Sequence, residues 1–148
     1  MIIDDKLMKY VLFKKRTEKE VRQKCDRLEY TKEYTDEIID YLIENRYIDD
    51  VLYVEKHIKN IMTLKISSVY EMRMDLLKRG IPQEYIDAYM NTHIEELNDF
   101  ENESARKLAI KKYKSMDVEK IRRYMISKGY AYSNIADAID NLEDLNDN

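Results

Sequence analysis

Apolar residues recur along this chain at helical spacing, and they do so in three related copies. The copies open at TEKEVRQKCDRLEY from Thr17, SVYEMRMDLLKRGI from Ser68 and DVEKIRRYMISKGY from Asp117. Four residues past each opening stands an apolar residue (Val21, Met72, Ile121), and four further on another (Cys25, Leu76, Met125). Such i, i+4 pairs lay one buried stripe along a helix. Thr17, Ser68 and Asp117 can each accept a bond from a free first-turn N–H, so they are predicted caps. Glu20 and Glu71 complete capping boxes with Thr17 and Ser68, and Met116 can staple onto Ile121. Twelve past the cap, Gly80 and Gly129 stand where a left-handed helix terminator is favoured; the first copy has Glu29 there.

Each copy continues into a second helix. In the first it covers about 35–45, with Ile38, Ile39, Tyr41 and Leu42 facing inward. In the second, Pro82 takes the first turn, where a missing N–H costs nothing, and Ile86, Tyr89 and Met90 form the stripe. In the third, Ser133 is the predicted cap before Ile135, Ala138, Ile139 and Leu142. Longer helices over about 50–64 and 101–114 link the copies. The pattern predicts an all-α protein of about nine helices in about three tandem three-helix repeats. The repeats fall at approximately 15–66, 67–115 and 116–148, after a short N-terminal helix over 4–14. Units this small cannot bury a face alone, so the expectation is one domain over 1–148, stacked as an elongated curved array.

Composition agrees with helices. Two glycines and one proline leave little turn chemistry for a many-stranded sheet. The single cysteine, Cys25, occupies a core position filled elsewhere by Leu76 and Met125, which makes it an inert buried thiol and excludes an internal disulfide. No apolar run approaches the roughly 18 residues of a membrane span, and the start is acidic where a signal peptide is basic. A soluble cytoplasmic protein without a membrane partner is expected.

The net charge of −4 hides segregation. Lys6 to Arg27 carries nine Lys/Arg against three acids, and Arg106 to Lys128 nine against two. Glu84 to Glu103 holds seven acids and no base, and the chain beyond Asp137 is acidic. Such blocks are either solvated faces of alternating sign or two basic surfaces meeting an anionic partner.

The stretch ENRYIDDVLYVEKH, from Glu44, poses the question of catalysis. Its adjacent Asp49 and Asp50 point about 100° apart on a helix and cannot converge on one atom as an acid/base pair must. They read instead as caps: Asp49 at the helix start and Asp50 in its first turn, where the dipole favours a carboxylate, with Ile48 stapling onto Tyr53. His57 and His93 lie in different repeats, and two distant glycines make no phosphate loop. No catalytic residue, cofactor or metal is expected. Most of the thirteen tyrosines fall on core stripes with the hydroxyl at the edge.

YIDDVLYVEKHI, EMRMDLLKRGI and AIKKYKSMDVEKIRRYMISKGY, in that order, resemble the RecX family of recombination regulators over roughly Leu12 to Leu142. The resemblance implies tandem three-helix repeats and a small cytoplasmic protein that binds the RecA recombinase within the groove of its filament on single-stranded DNA. It implies inhibition of ATP hydrolysis, strand exchange and co-protease activity. It also implies glycines near Glu29, Arg46 and Lys114 and around Ile66 to Ser68, which this chain replaces.

The candidate partner-binding residues are Lys15, Arg16, Arg22, Arg73, Lys111, Lys112, Arg122, Arg123 and Lys128. Arg22, Arg73 and Arg122 recur five past each cap; they either bridge to the acidic second helices or form a row of partner contacts. Lys111, Lys112, Arg123 and Lys128 lie away from the stripe of Val118, Ile121 and Met125 and are better placed for contact. The expected partner is a RecA filament, with weak contact to single- or double-stranded DNA, and the protein itself a monomer. A helix-turn-helix-like DNA-binding regulator or a generic helical scaffold are the alternatives; the net negative charge and the lack of one dominant basic helix weigh against the former.

Overall fold

The computed structural model describes residues 1–147, and among them every regular element is a helix. In order these are α1 (Asp5–Phe13), α2 (Glu18–Arg27), α3 (Lys32–Glu44), α4 (Asp50–Leu64), α5 (Val69–Lys78), α6 (Gln83–Thr92), α7 (Ile94–Lys112), α8 (Val118–Ser127) and α9 (Tyr132–Asn146). The fold is all-α; the first two expected repeats hold three helices each, α2–α4 and α5–α7, whereas the last holds two, α8 and α9, among the described residues.

Three boundaries differ from the expectation. Helix α3 begins at Lys32, because the Thr31 side chain accepts from the Tyr34 N–H and starts the helix a turn earlier. Helix α7 begins at Ile94 rather than near Glu101, so the acids Glu95 and Glu96 sit in its first turn, where the dipole favours them. Ser133 does not cap α9: Ala131 holds the cap position, and Ser133 lies inside the first turn.

The described chain divides into two compact units, Met1–His57 with Leu76–Asp87, and Ile58–Asp75 with Ala88 onward. In the first, Leu7 and Val11 of α1, Val21 and Cys25 of α2, and Ile38, Ile39 and Leu42 of α3 close one apolar core with Ile48. In the second, Ala105 and Ala109 of α7, Ile121 and Met125 of α8, and Ile135, Ala138, Ile139 and Leu142 of α9 do the same, with Tyr130. The small alanines of α7 let α9 approach closely. Full burial of each of these aliphatic side chains contributes roughly 1.5–3 kcal/mol. The Cys25 thiol is fully buried in the first core, and burial pushes its pKa up.

Each unit contains one copy of the same junction. In the first, the Thr17 Oγ1 accepts from Glu20 N (3.2 Å) and donates to the Arg79 carbonyl (2.6 Å), while Glu20 accepts from Thr17 N (2.9 Å). In the second, the Ser68 Oγ accepts from Glu71 N (3.0 Å) and donates to the Lys128 carbonyl (2.6 Å), while Glu71 accepts from Ser68 N (3.1 Å). The cap hydroxyl therefore works twice, starting its own helix and tying it to the end of the first helix of the next repeat. Both hydroxyl residues are fully buried, which makes each satisfied bond obligatory. The next residue in each case is a glycine at positive φ, Gly80 (86°) or Gly129 (84°). A Cβ there would lie 2.2 Å from the Lys19 stem or 2.4 Å from the Tyr70 ring.

Candidate protein-binding face

The residues of ENRYIDD serve the junctions. Asp49 accepts from Leu52 N at 3.0 Å, in the geometry of a cap. Asp50 does more than favour its own helix dipole: its Oδ1 accepts from the Glu18 N–H (3.0 Å), the first N–H of α2. Desolvation raises its pKa despite that bond, with Glu18, Asp49 and Glu20 adding repulsion. Glu101 has the corresponding role in the second unit and is almost fully buried. One oxygen accepts from Val69 N (2.9 Å); the other accepts from Ala131 N (3.1 Å) and from the Asn134 amide. Asn134 is fixed further by Asn98 and Asn102. Asp117 accepts from Lys120 N at 2.9 Å and caps α8.

The histidines stay apart. His57 stacks on Tyr53 and His93 on Tyr89, each one turn back along the chain. Among the described residues no group of three His, Cys, Asp or Glu side chains is placed to hold a metal ion.

The arginine series is engaged within the fold. Arg22 pairs with Glu18 (3.1 Å) and with Asp36 on α3 (2.7 Å), and these partners raise its pKa. Arg122 pairs with Glu119 (3.6 Å), and Arg73 donates to the Met90 sulfur (3.5 Å). Bridging to a second helix is thus the role of Arg22. Arg106 plays a matching part in the last repeat, with a two-pronged pair to Asp137 of α9 (2.7 and 3.0 Å) that lowers the Asp137 pKa.

The lysines behave differently. Lys112 and Lys128 approach the Tyr124 ring, their Nζ atoms 4.8 and 5.5 Å from its centroid. Beside them lies a cleft of about 440 Å³ lined by Leu64, Lys65, Ile66, Glu71, Leu108, Lys111, Tyr124, Lys128 and Tyr130. Burial raises the Tyr130 pKa further above its ordinary value. The cleft lining takes in Lys111 and Lys128; Lys112 stands beside it at the Tyr124 ring, and exposed Arg123 is outside the lining. Lys65, Tyr124 and Tyr130 join the site, and none of them is among the candidate partner-binding residues; spacing marks the two tyrosines as core positions. In the first unit, Arg16 lies over the Tyr10 ring at 3.8 Å, with Lys24 at 5.5 Å and Arg27 at 6.0 Å, while Lys15 is exposed. Tyr10, Lys24 and Arg27 were likewise not singled out; their signal was the i to i+3 run of cations on α2, which does not reveal the tyrosine it faces.

No family model matches the chain. Curated relatives do. A regulatory protein RecX of Staphylococcus carnosus is 32% identical over 140 residues, covering 92% of this chain and 52% of the relative. One from Clostridium botulinum is 33% identical over 133 residues, covering 84% and 60%. A crystal structure of RecX from Lactobacillus salivarius superposes with a TM-score of 0.80 at 25% identity, covering 94% of this chain and 93% of that one. Over most of its own length the chain is similar to RecX proteins. A second RecX crystal structure, at 21% identity and a TM-score of 0.79, shares the fold. The chain spans between half and two thirds of the length of these two curated RecX relatives. No described helix is long and apolar enough to cross a membrane.

Two of the glycine positions that the RecX resemblance implied are occupied by residues in the same left-handed conformation, Glu29 (φ 62°) and Arg46 (φ 63°). The helix ends after α2 and α3 are therefore kept without glycine, at a cost of roughly 1 kcal/mol each.

Proposed function

We propose that this chain regulates the RecA recombinase by stoichiometric binding to the RecA–single-stranded-DNA filament, chiefly as an inhibitor. It acts in the cytoplasm as a binding protein, not a catalyst. Similarity to RecX regulatory proteins carries the reading. The lysine face of the last repeat supports a contact there: Lys111, Lys112 and Arg123 are on or beside a face whose cations gather around Tyr124, in a chain that is acidic overall. Interfacial charges of this kind set partner choice and association rate.

The test is single-stranded-DNA-dependent ATP hydrolysis by RecA, titrated with this protein. Wild type is expected to lower the rate. The charge reversal K111E/K112E/R123E, with its helical circular dichroism intact, is expected to need about tenfold more protein for the same effect. An unchanged inhibition curve for the variant would move the contact off this face. A wild-type protein with no effect on verified filaments would remove the regulator reading itself.

A further inference from the structure

We propose that the cleft beside Tyr124 is a docking site for a protein segment in which an acidic side chain stands next to a large apolar one. This deepens the regulator reading, on which it rests for the partner being a protein.

Two kinds of surface meet in the cleft. Leu64 is 69% exposed and Ile66 39%, so aliphatic surface lies uncovered beside charge. Lys65, Lys111 and Lys128 surround it, and among the described residues none of them pairs with a carboxylate. The chain has 30 acids against 26 bases, so these lysines are left open amid an excess of available partners. The one carboxylate in the lining, Glu71, is committed to the Ser68 N–H and is not their counter-ion. A ligand that offers a carboxylate to the lysines and an apolar side chain to Leu64, Ile66 and Leu108 satisfies both surfaces. That is the anatomy of a protein anchor, an apolar centre with a polar rim.

Nucleic acid fits the cleft less well. Base stacking needs an open aromatic face, and the Tyr124 ring already has Lys112 and Lys128 against it. A phosphodiester also leaves the apolar surface of Leu64, Ile66 and Leu108 without a partner.

The test uses the full chain, labelled with nitrogen-15, and follows amide shifts on titration with three probes. These are a peptide SEDLFES, its neutral counterpart SQNLFQS, and a short oligothymidylate. Saturable shifts are expected at Leu64, Lys65, Ile66, Lys111, Tyr124 and Lys128 with the acidic peptide, and binding at least about tenfold weaker with the neutral one. Lys111→Glu and Leu64→Asp, both at exposed positions, are each expected to abolish these shifts with the rest of the spectrum unchanged. Comparable shifts from the oligothymidylate would overturn the proposal in favour of a nucleic-acid site. Shifts confined to other residues, or none at millimolar peptide, would overturn it outright. Failure of the regulator reading shows separately, as unaltered RecA ATP hydrolysis, and leaves the peptide result standing.

Discussion

The two junctions of this molecule use the same hydroxyl-to-carbonyl tie but different acids. In the first unit Asp50 makes one bond, to the Glu18 N–H. In the second Glu101 makes three, to Val69 N, Ala131 N and Asn134. The neighbouring sequence explains the difference. The turn that presents the Ala131 N–H in the last repeat presents Pro82 in the second, and proline has no N–H to offer. A short acid with one acceptor in use is enough for the first junction. The second needs the longer Glu101 to reach donors on two elements. Asp50 sits among other carboxylates and is held there against its solvation preference, whereas the Glu101 carboxylate is the hub that satisfies a buried network. Among the described residues no buried side-chain nitrogen or oxygen lacks a partner.

The sharpest way to break the comparison is to remove each acid. Glu101→Ala strands buried donors and is expected to cost on the order of 3 kcal/mol in urea denaturation, with Glu101→Gln about half of that. Either variant at wild-type stability would show that Glu101 is not the hub. The glycines give the next effect. Gly129→Ala combines a left-handed backbone with a rigid Tyr70 ring and is expected to cost about 2–3 kcal/mol. Gly80→Ala meets the Lys19 Cβ at 2.3 Å, an atom that no rotamer change moves and closer than the 2.6 Å to the Tyr70 Cβ at Gly129, and is expected to cost at least as much. A clearly smaller loss for Gly80→Ala would show that the α2 backbone at Lys19 gives way more easily than the Tyr70 ring.

Asp50 gives a smaller effect of opposite sign. Its folded-state pKa is raised, so its favourable contribution is present below the unfolded carboxylate pKa and is lost as pH rises through the folded value. Asp50→Asn keeps an acceptor for Glu18 N and removes the charge. It should match wild type in acid and gain over it toward neutral pH, by thermal melts across that range. A constant difference at all pH values would exclude the titration of Asp50 as the cause. The smallest effect is at the helix ends. Glu29→Gly and Arg46→Gly are each expected to raise stability by about 0.5–1 kcal/mol, because glycine takes the left-handed conformation without penalty. A loss in either variant would show that the side chain makes a contact worth more than the strain.

Periodicity, capping residues and the placement of Gly80 and Gly129 were sufficient to read a helical repeat protein. Val21, Cys25, Met72, Leu76, Ile121 and Met125 are all buried where their spacing put them. These features act within one helix or across one turn, and a single sequence carries that information directly. The ordered segments also carried the RecX resemblance. The partner of Asp50, the three-way role of Glu101 and the entry of Lys65 into the lysine cleft depend on chain ends and turns that meet across more than thirty positions. Charge runs marked Lys111, Lys112 and Lys128 as exposed, yet equally marked Arg22, which the fold binds to Asp36. A side chain's spacing along a helix reports which way it points. What it meets there is set by which other helix packs opposite, and only the tertiary structure decides that.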